Sequence, residues 1–131
     1  MEKFKTRYNK LNSAQKQAVD TIDGPLLVVA GPGTGKTELL SMRAANILRA
    51  TDTLPENILC LTFTDSGANA MRARLASIIG TDAYKVAIQT FHSFGTEIIN
   101  HHSEYFYRGA DFSPADEVAT YSILTDIFEE L

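Results

Sequence analysis

The apolar run Pro25-Leu26-Leu27-Val28-Val29 leads directly into Ala30-Gly31-Pro32-Gly33-Thr34-Gly35-Lys36-Thr37. An apolar stretch of strand length that empties into a glycine-rich turn closed by Gly-Lys-Thr leaves a chain few options. Glycines allow the backbone to curl so that successive N–H groups point at one spot, and a helix beginning at Lys36 adds the positive end of its dipole there. Such a concavity suits the phosphates of a nucleoside triphosphate. Residues Ala30, Gly31, Pro32, Gly33, Thr34 and Gly35 form the cradle. Lys36 reaches the β and γ oxygens, and the Thr37 hydroxyl falls on Mg²⁺; these two are the residues expected to act on the reacting groups. Ala30 stands where the pattern usually has glycine, and is small enough to keep the turn.

Strand-like and helix-like segments alternate through the rest of the chain. Leu26–Ala30 reads as a buried strand and Lys36–Ala50 as a helix with Leu40, Ala44, Ile47 and Leu48 on one face. Asn57–Phe63 reads as a second apolar strand, followed by a helix from about Ser66 to Ile79 that stops at Gly80. Val86–Thr90 reads as a third strand and Phe91–His102 as a third helix. Ahead of the loop, Ser13–Val19 forms a short helix with Asn12 or Ser13 as its cap. Strands that are apolar throughout and separated by helices imply an α/β fold, a parallel sheet with helices on both faces. A further helix, expected to open at Ser113 and Pro114, carries Val118, Tyr121, Ile123, Leu124, Ile127, Phe128 and Leu131 on a broad apolar face. That stripe is still being laid down at residue 131, which suggests a domain edge and a surface able to self-associate.

Charge is unevenly spread. The net value is −4, yet residues 1–50 carry +4 and residues 51–131 carry −8. Local field matters more than the total for a polyanion, so composition leaves a nucleic-acid partner open. The single Cys60 sits among apolar neighbours and reads as a buried structural thiol in a reducing compartment. No stretch has the length of a membrane span, and the N-terminus lacks the apolar core of a signal peptide. A cytoplasmic location is expected.

Three further segments bear on function. Leu11-Asn12-Ser13-Ala14-Gln15-Lys16-Gln17-Ala18-Val19 precedes the loop. Ile58-Leu59-Cys60-Leu61-Thr62-Phe63-Thr64-Asp65-Ser66-Gly67-Ala68-Asn69-Ala70-Met71 follows it, and then Val86-Ala87-Ile88-Gln89-Thr90-Phe91-His92-Ser93-Phe94-Gly95. Together with the loop, in this order and spacing, they resemble the N-terminal part of UvrD/Rep-type superfamily 1 DNA helicases. The resemblance implies a P-loop NTPase (RecA-like) fold, with residues 1–104 forming part of the ATP-binding subdomain and 105–131 opening an inserted helical subdomain. It implies ATP and Mg²⁺ as cofactors and single-stranded DNA as partner, with 3′-to-5′ polarity. Gln15 would read the adenine edge, since a primary amide offers one donor and one acceptor. Phe63 would stack on a base, with Thr64 and Asp65 beside it, and Thr90 and His92 would bond the nucleic-acid backbone. Asp65 and Ser66 stand where the family usually has Asn and Lys, which makes this edge more acidic than the family pattern. An alternative reading of Phe63 is a core aromatic at a strand end.

Hydrolysis also needs an acidic pair at a strand end to hold Mg²⁺ and position water, and arginines for the γ-phosphate. Asp116-Glu117 has the composition of such a pair, but the residues before it, Pro114 included, cannot form a buried strand. These 131 residues are therefore expected to bind nucleotide without turning it over. A small P-loop kinase or another NTPase would share the loop alone. The helicase part of a helicase–nuclease would share all four segments.

Overall fold

The computed structural model describes residues 2–31, 33–106 and 115–129. Pro32, expected in the cradle, lies outside them, as do Ser113, Pro114 and Leu131. Eight regular elements are described: α1 (Glu2–Tyr8), α2 (Ser13–Asp20), α3 (Lys36–Ala50), β1 (Leu59–Thr62), α4 (Asp65–Ile79), β2 (Ala87–Thr90), α5 (Phe91–His101) and α6 (Glu117–Glu129). Two compact units result, Met1–Phe94 and Gly95–Leu131.

In the first unit the helix ends follow from local chemistry. Asn12 caps α2 through a reciprocal pair: its side chain accepts from the Gln15 N–H at 2.9 Å, and the Gln15 side chain accepts from the Asn12 N–H at 3.0 Å. Thr64 caps α4 by accepting from Gly67 N, one residue earlier than the spacing of apolar residues suggested, and Gly80 ends that helix with φ 76°. Between them α4 carries the chain from β1 to β2, which pair in parallel with Leu59 opposite Ala87 and Thr62 opposite Thr90.

Met42 of α3, Leu75 of α4, Val19 of α2 and Val86 are wholly buried, with Phe4, Leu39, Met71, Ile78 and Ile88 around them. Each such side chain is worth about 1.5–3 kcal/mol on leaving water. Polar groups inside this core are all partnered. Asn46 donates to the Val19 carbonyl at 3.0 Å and Arg43 to the Ala18 carbonyl at 3.0 Å, so side chains of α3 satisfy the last carbonyls of α2. Arg72 of α4 donates to the Ile88 carbonyl at 2.7 Å, tying the helix to β2. Helix α1 is an element that the spacing does not predict. Its Phe4 is buried, stacked on Tyr8 at 5.8 Å and covered by the Arg49 guanidinium at 5.0 Å.

Three expectations need correction. Leu26–Ala30 is not a buried strand: Leu27 is 87% and Val29 92% exposed. A strand exists only where its backbone groups find a ladder. The sheet is two-stranded, and among the described residues no backbone hydrogen bond joins this segment to β1 or β2. Second, the buried face of α3 is Leu39, Ser41, Met42, Ala44, Ala45 and Asn46, while Leu40 is half exposed. Leu40 and Ile47 instead lie beside the open flank of β1, with Leu59 and Leu61.

Third, in the second unit, α6 starts at Glu117 rather than at Pro114. The Asp116 carboxylate accepts from the Ala119 N–H at 2.8 Å, because a charged acceptor at the helix start favours capping there. Asp116 is thus a helix cap. Val118, Tyr121, Ile123, Leu124, Ile127 and Phe128 are all exposed on α6. The last residue of α5, His101, sits with Nδ1 3.0 Å from the Glu97 carbonyl. No helix among the described residues is long and apolar enough to cross a membrane.

Candidate nucleotide and nucleic-acid sites

The loop ahead of α3 belongs to neither strand nor helix until Lys36. Gly33 and Gly35 have φ of 73° and 83°, left-handed values that a side chain would strain, and Gly35 is the cap from which α3 springs. Thr34 donates its hydroxyl to the Gly31 carbonyl at 2.8 Å, closing the turn on itself. Inside the bend, the Lys36 ammonium donates to the Gly31 carbonyl at 2.8 Å and to Ala30 at 3.3 Å. The cation is therefore held over the loop rather than extended into water. Thr37 follows in the first turn, half-buried, its carbonyl accepting from Ser41.

Gln15 reaches this loop from α2. While its Oε1 accepts from Asn12, its Nε2 donates to the Thr34 carbonyl at 3.3 Å. One lone pair and one N–H of the amide remain, still the donor and acceptor that an adenine edge asks for. A recess of about 230 Å³ is lined by Asn12, Gln15, Ala30, Gly31, Thr34 and Lys36, among others. A larger one of about 750 Å³ adjoins it and shares Gln15, with Gly35, Arg7, Lys10, Glu38 and Arg74 in its wall.

Glu38 is a residue that sequence reasoning missed. Arg7 donates to its two oxygens at 2.9 and 3.1 Å, and Arg74 to one of them at 2.9 Å. Burial opposes ionisation of Glu38, but the hydrogen bonds and charges of the two guanidinium groups outweigh it and hold the carboxyl below the usual range. No local pattern gives this away, since the partners lie 31 and 36 residues distant.

The parallel pairing of β1 and β2 brings their C-terminal ends side by side, with Phe63 and Phe91 each one residue beyond. The two rings lie 5.3 Å apart between centroids, tilted by 42°, and Phe63 is 86% exposed. Phe63 is therefore a surface residue, not a core aromatic. Phe91 belongs to the same platform, and its signal was its place at the end of the second strand. Thr64 and Asp65 are exposed at the start of α4, the Thr64 hydroxyl serving as its cap. Thr90 is buried, and its hydroxyl accepts from Ser93 N at 3.1 Å as the cap of α5; His92 and Ser93 are the exposed polar groups at that turn. Cys60 is partly buried, and burial pushes its thiol up from the ordinary value, as suits a structural residue.

Residues 11–131 match the model of the UvrD/REP helicase N-terminal domain. The chain is 38% identical over 120 residues to ATP-dependent DNA helicase PcrA of Bacillus subtilis, covering 92% of this chain and 16% of the relative. To the PcrA helicase of Staphylococcus epidermidis it is 36% identical over 119 residues, 91% of this chain and 16% of the relative. The chain thus spans only a small part of the length of these relatives.

Proposed function

The chain belongs to the UvrD/REP helicase N-terminal domain family, and from that premise we propose that it is the ATP-binding part of an ATP-dependent DNA helicase or translocase acting on single-stranded DNA, with 3′-to-5′ polarity. The observation that supports this most strongly is the loop itself: two left-handed glycines, a closed turn and a lysine ammonium held against its own carbonyls. On this reading the RecA-like core places a triphosphate where that ammonium now rests. Lys36 exchanges two carbonyl partners for phosphate oxygens, which bind a cation more strongly because they are charged. The amides of Gly31, Gly33, Thr34, Gly35 and Lys36 face the phosphates. Thr37 places a hydroxyl in the first turn of α3 and would ligate Mg²⁺, which neutralises phosphate charge when bound. Gln15 holds the base edge while its capping bond to Asn12 keeps it aligned.

The Phe63–Phe91 platform accepts an unstacked base, and Thr64, Asp65, His92 and Ser93 border it as hydrogen-bonding groups for the strand. Thr90 supports this surface from beneath. Grip on DNA and occupancy of the cradle are linked through α4, which begins at the platform and packs along α3. Turnover requires carboxylates at a strand end. On this reading these 131 residues bind nucleotide without hydrolysing it. Residues 105–131 open a second, helical subdomain.

The test is equilibrium binding of a fluorescent ATP analogue in Mg²⁺. Lys36→Ala should weaken binding at least about tenfold with the fold intact by circular dichroism. Unchanged affinity would remove the loop from the site.

A further inference from the structure

Glu38 is the third residue of α3, one turn from the Gly35 cap, and shares a recess with Gly35 and Gln15. A carboxylate in that place has two opposite effects. In the empty loop it suits the positive end of the helix dipole. Once a triphosphate docks at the same helix end, it is a like charge beside the ligand, and the repulsion scales with ligand charge.

The fold supplies a remedy from two distant helices. Arg7 of α1 meets both Glu38 oxygens, while its other nitrogen donates to Ser77 at 2.9 Å and fixes the guanidinium plane. Arg74 of α4 meets Glu38 from the other side at 2.9 Å. The Glu38 side chain is only 21% exposed, so this neutralisation is screened less by water than a surface pair would be. Lys3, Lys10 and Glu2 line the same recess and leave its remaining charge positive.

We propose that Arg7 and Arg74 are positioning residues for nucleotide binding: they neutralise and hold Glu38 so that a nucleoside triphosphate can dock at the N-terminus of α3. This rests on the nucleotide reading above. A network that merely clamped α1, α3 and α4 together would affect stability alone. Charge neutralisation makes two separate demands. The loss on removing the arginines must grow with the number of phosphates, and it must vanish when the Glu38 charge is removed as well.

The test is titration of the full chain with fluorescent analogues of AMP, ADP and ATP in Mg²⁺, with folding monitored by thermal melts. Arg7→Gln with Arg74→Gln should weaken ATP-analogue binding about tenfold, ADP less and AMP least. Adding Glu38→Gln should restore affinity to within about threefold of the unaltered chain. A triple variant as weak as the double, or equal losses for AMP and ATP, would overturn the proposal. Should the double variant unfold, Arg74→Gln alone, at a side chain 44% exposed, reads the same ordering at smaller size. Lys36→Ala runs alongside. If it binds like the unaltered chain, the nucleotide reading fails and takes this one with it. If it loses binding while the triple variant stays weak, only the role of the arginines fails.

Discussion

Residues 26–35 and 59–64 have the same grammar: a short apolar run, a turn, then a fifteen-residue helix. Both helices form, α3 from Lys36 as expected and α4 from Asp65, one residue early. Only the second run becomes a strand. Leu59–Thr62 finds a ladder because α4 carries the chain to Ala87–Thr90 in parallel register, whereas Val29 stands 92% exposed with no described strand beside it. Helical hydrogen bonds are local and need only the segment itself, but strand bonds are borrowed from elsewhere in the chain. An apolar run is a request for a partner, and the loop downstream takes its bend without waiting for one.

That contrast can be broken most sharply in the core. Leu75→Ala, at a fully buried position of α4, should cost about 2–5 kcal/mol, while Val29→Ala should stay within about 0.5 kcal/mol in the same denaturant titration. Comparable losses at both sites would mean that 26–30 is packed after all. Gly67 comes next. A Cβ there would meet the Thr62 hydroxyl at 2.8 Å and that of Thr64 at 3.1 Å, so Gly67→Ala should destabilise by about 1–3 kcal/mol despite alanine's better helix propensity. A gain in melting temperature would show that the β1–α4 junction is looser than drawn. Phe63→Ala should change stability by under about 0.5 kcal/mol, yet lower affinity for a fluorescent single-stranded oligonucleotide by about fivefold or more. Equal oligonucleotide affinity would separate this edge from DNA.

The smallest effect concerns pH. The folded Glu38 carboxyl is held below its ordinary range, so its contribution to stability is complete above the unfolded value of about 4.3 and is lost as pH falls through the lower folded value. Glu38→Gln should flatten the acid limb of a stability–pH curve and leave its neutral part level. An unaltered acid limb would mean that the arginine pairs do not hold in solution.

Much of this was legible from spacing. Lys36–Ala50 was read to the residue, and Gly80 was recognised as a stop, because caps and glycines act within one turn. The loop was legible for the same reason. The resemblance gives Thr90 a bond to the nucleic-acid backbone, whereas its hydroxyl caps the next helix and the residue is buried. The Glu38 cluster and the Phe63–Phe91 pairing depend on which distant segments the topology brings together, and no local periodicity records that. Asp116, expected in the first turn of the last helix, instead caps it, and the expected cap Ser113 lies outside the described residues.

The most direct test of the cradle watches the backbone amides themselves. In ¹⁵N-labelled chain, adding a non-hydrolysable ATP analogue with Mg²⁺ should shift the amide resonances of Gly31, Gly33, Thr34, Gly35, Lys36 and Thr37 together, and far more than those of α6. If nucleotide saturates the chain while those six signals stay still, or if none moves at millimolar concentration, the loop is not where phosphate binds.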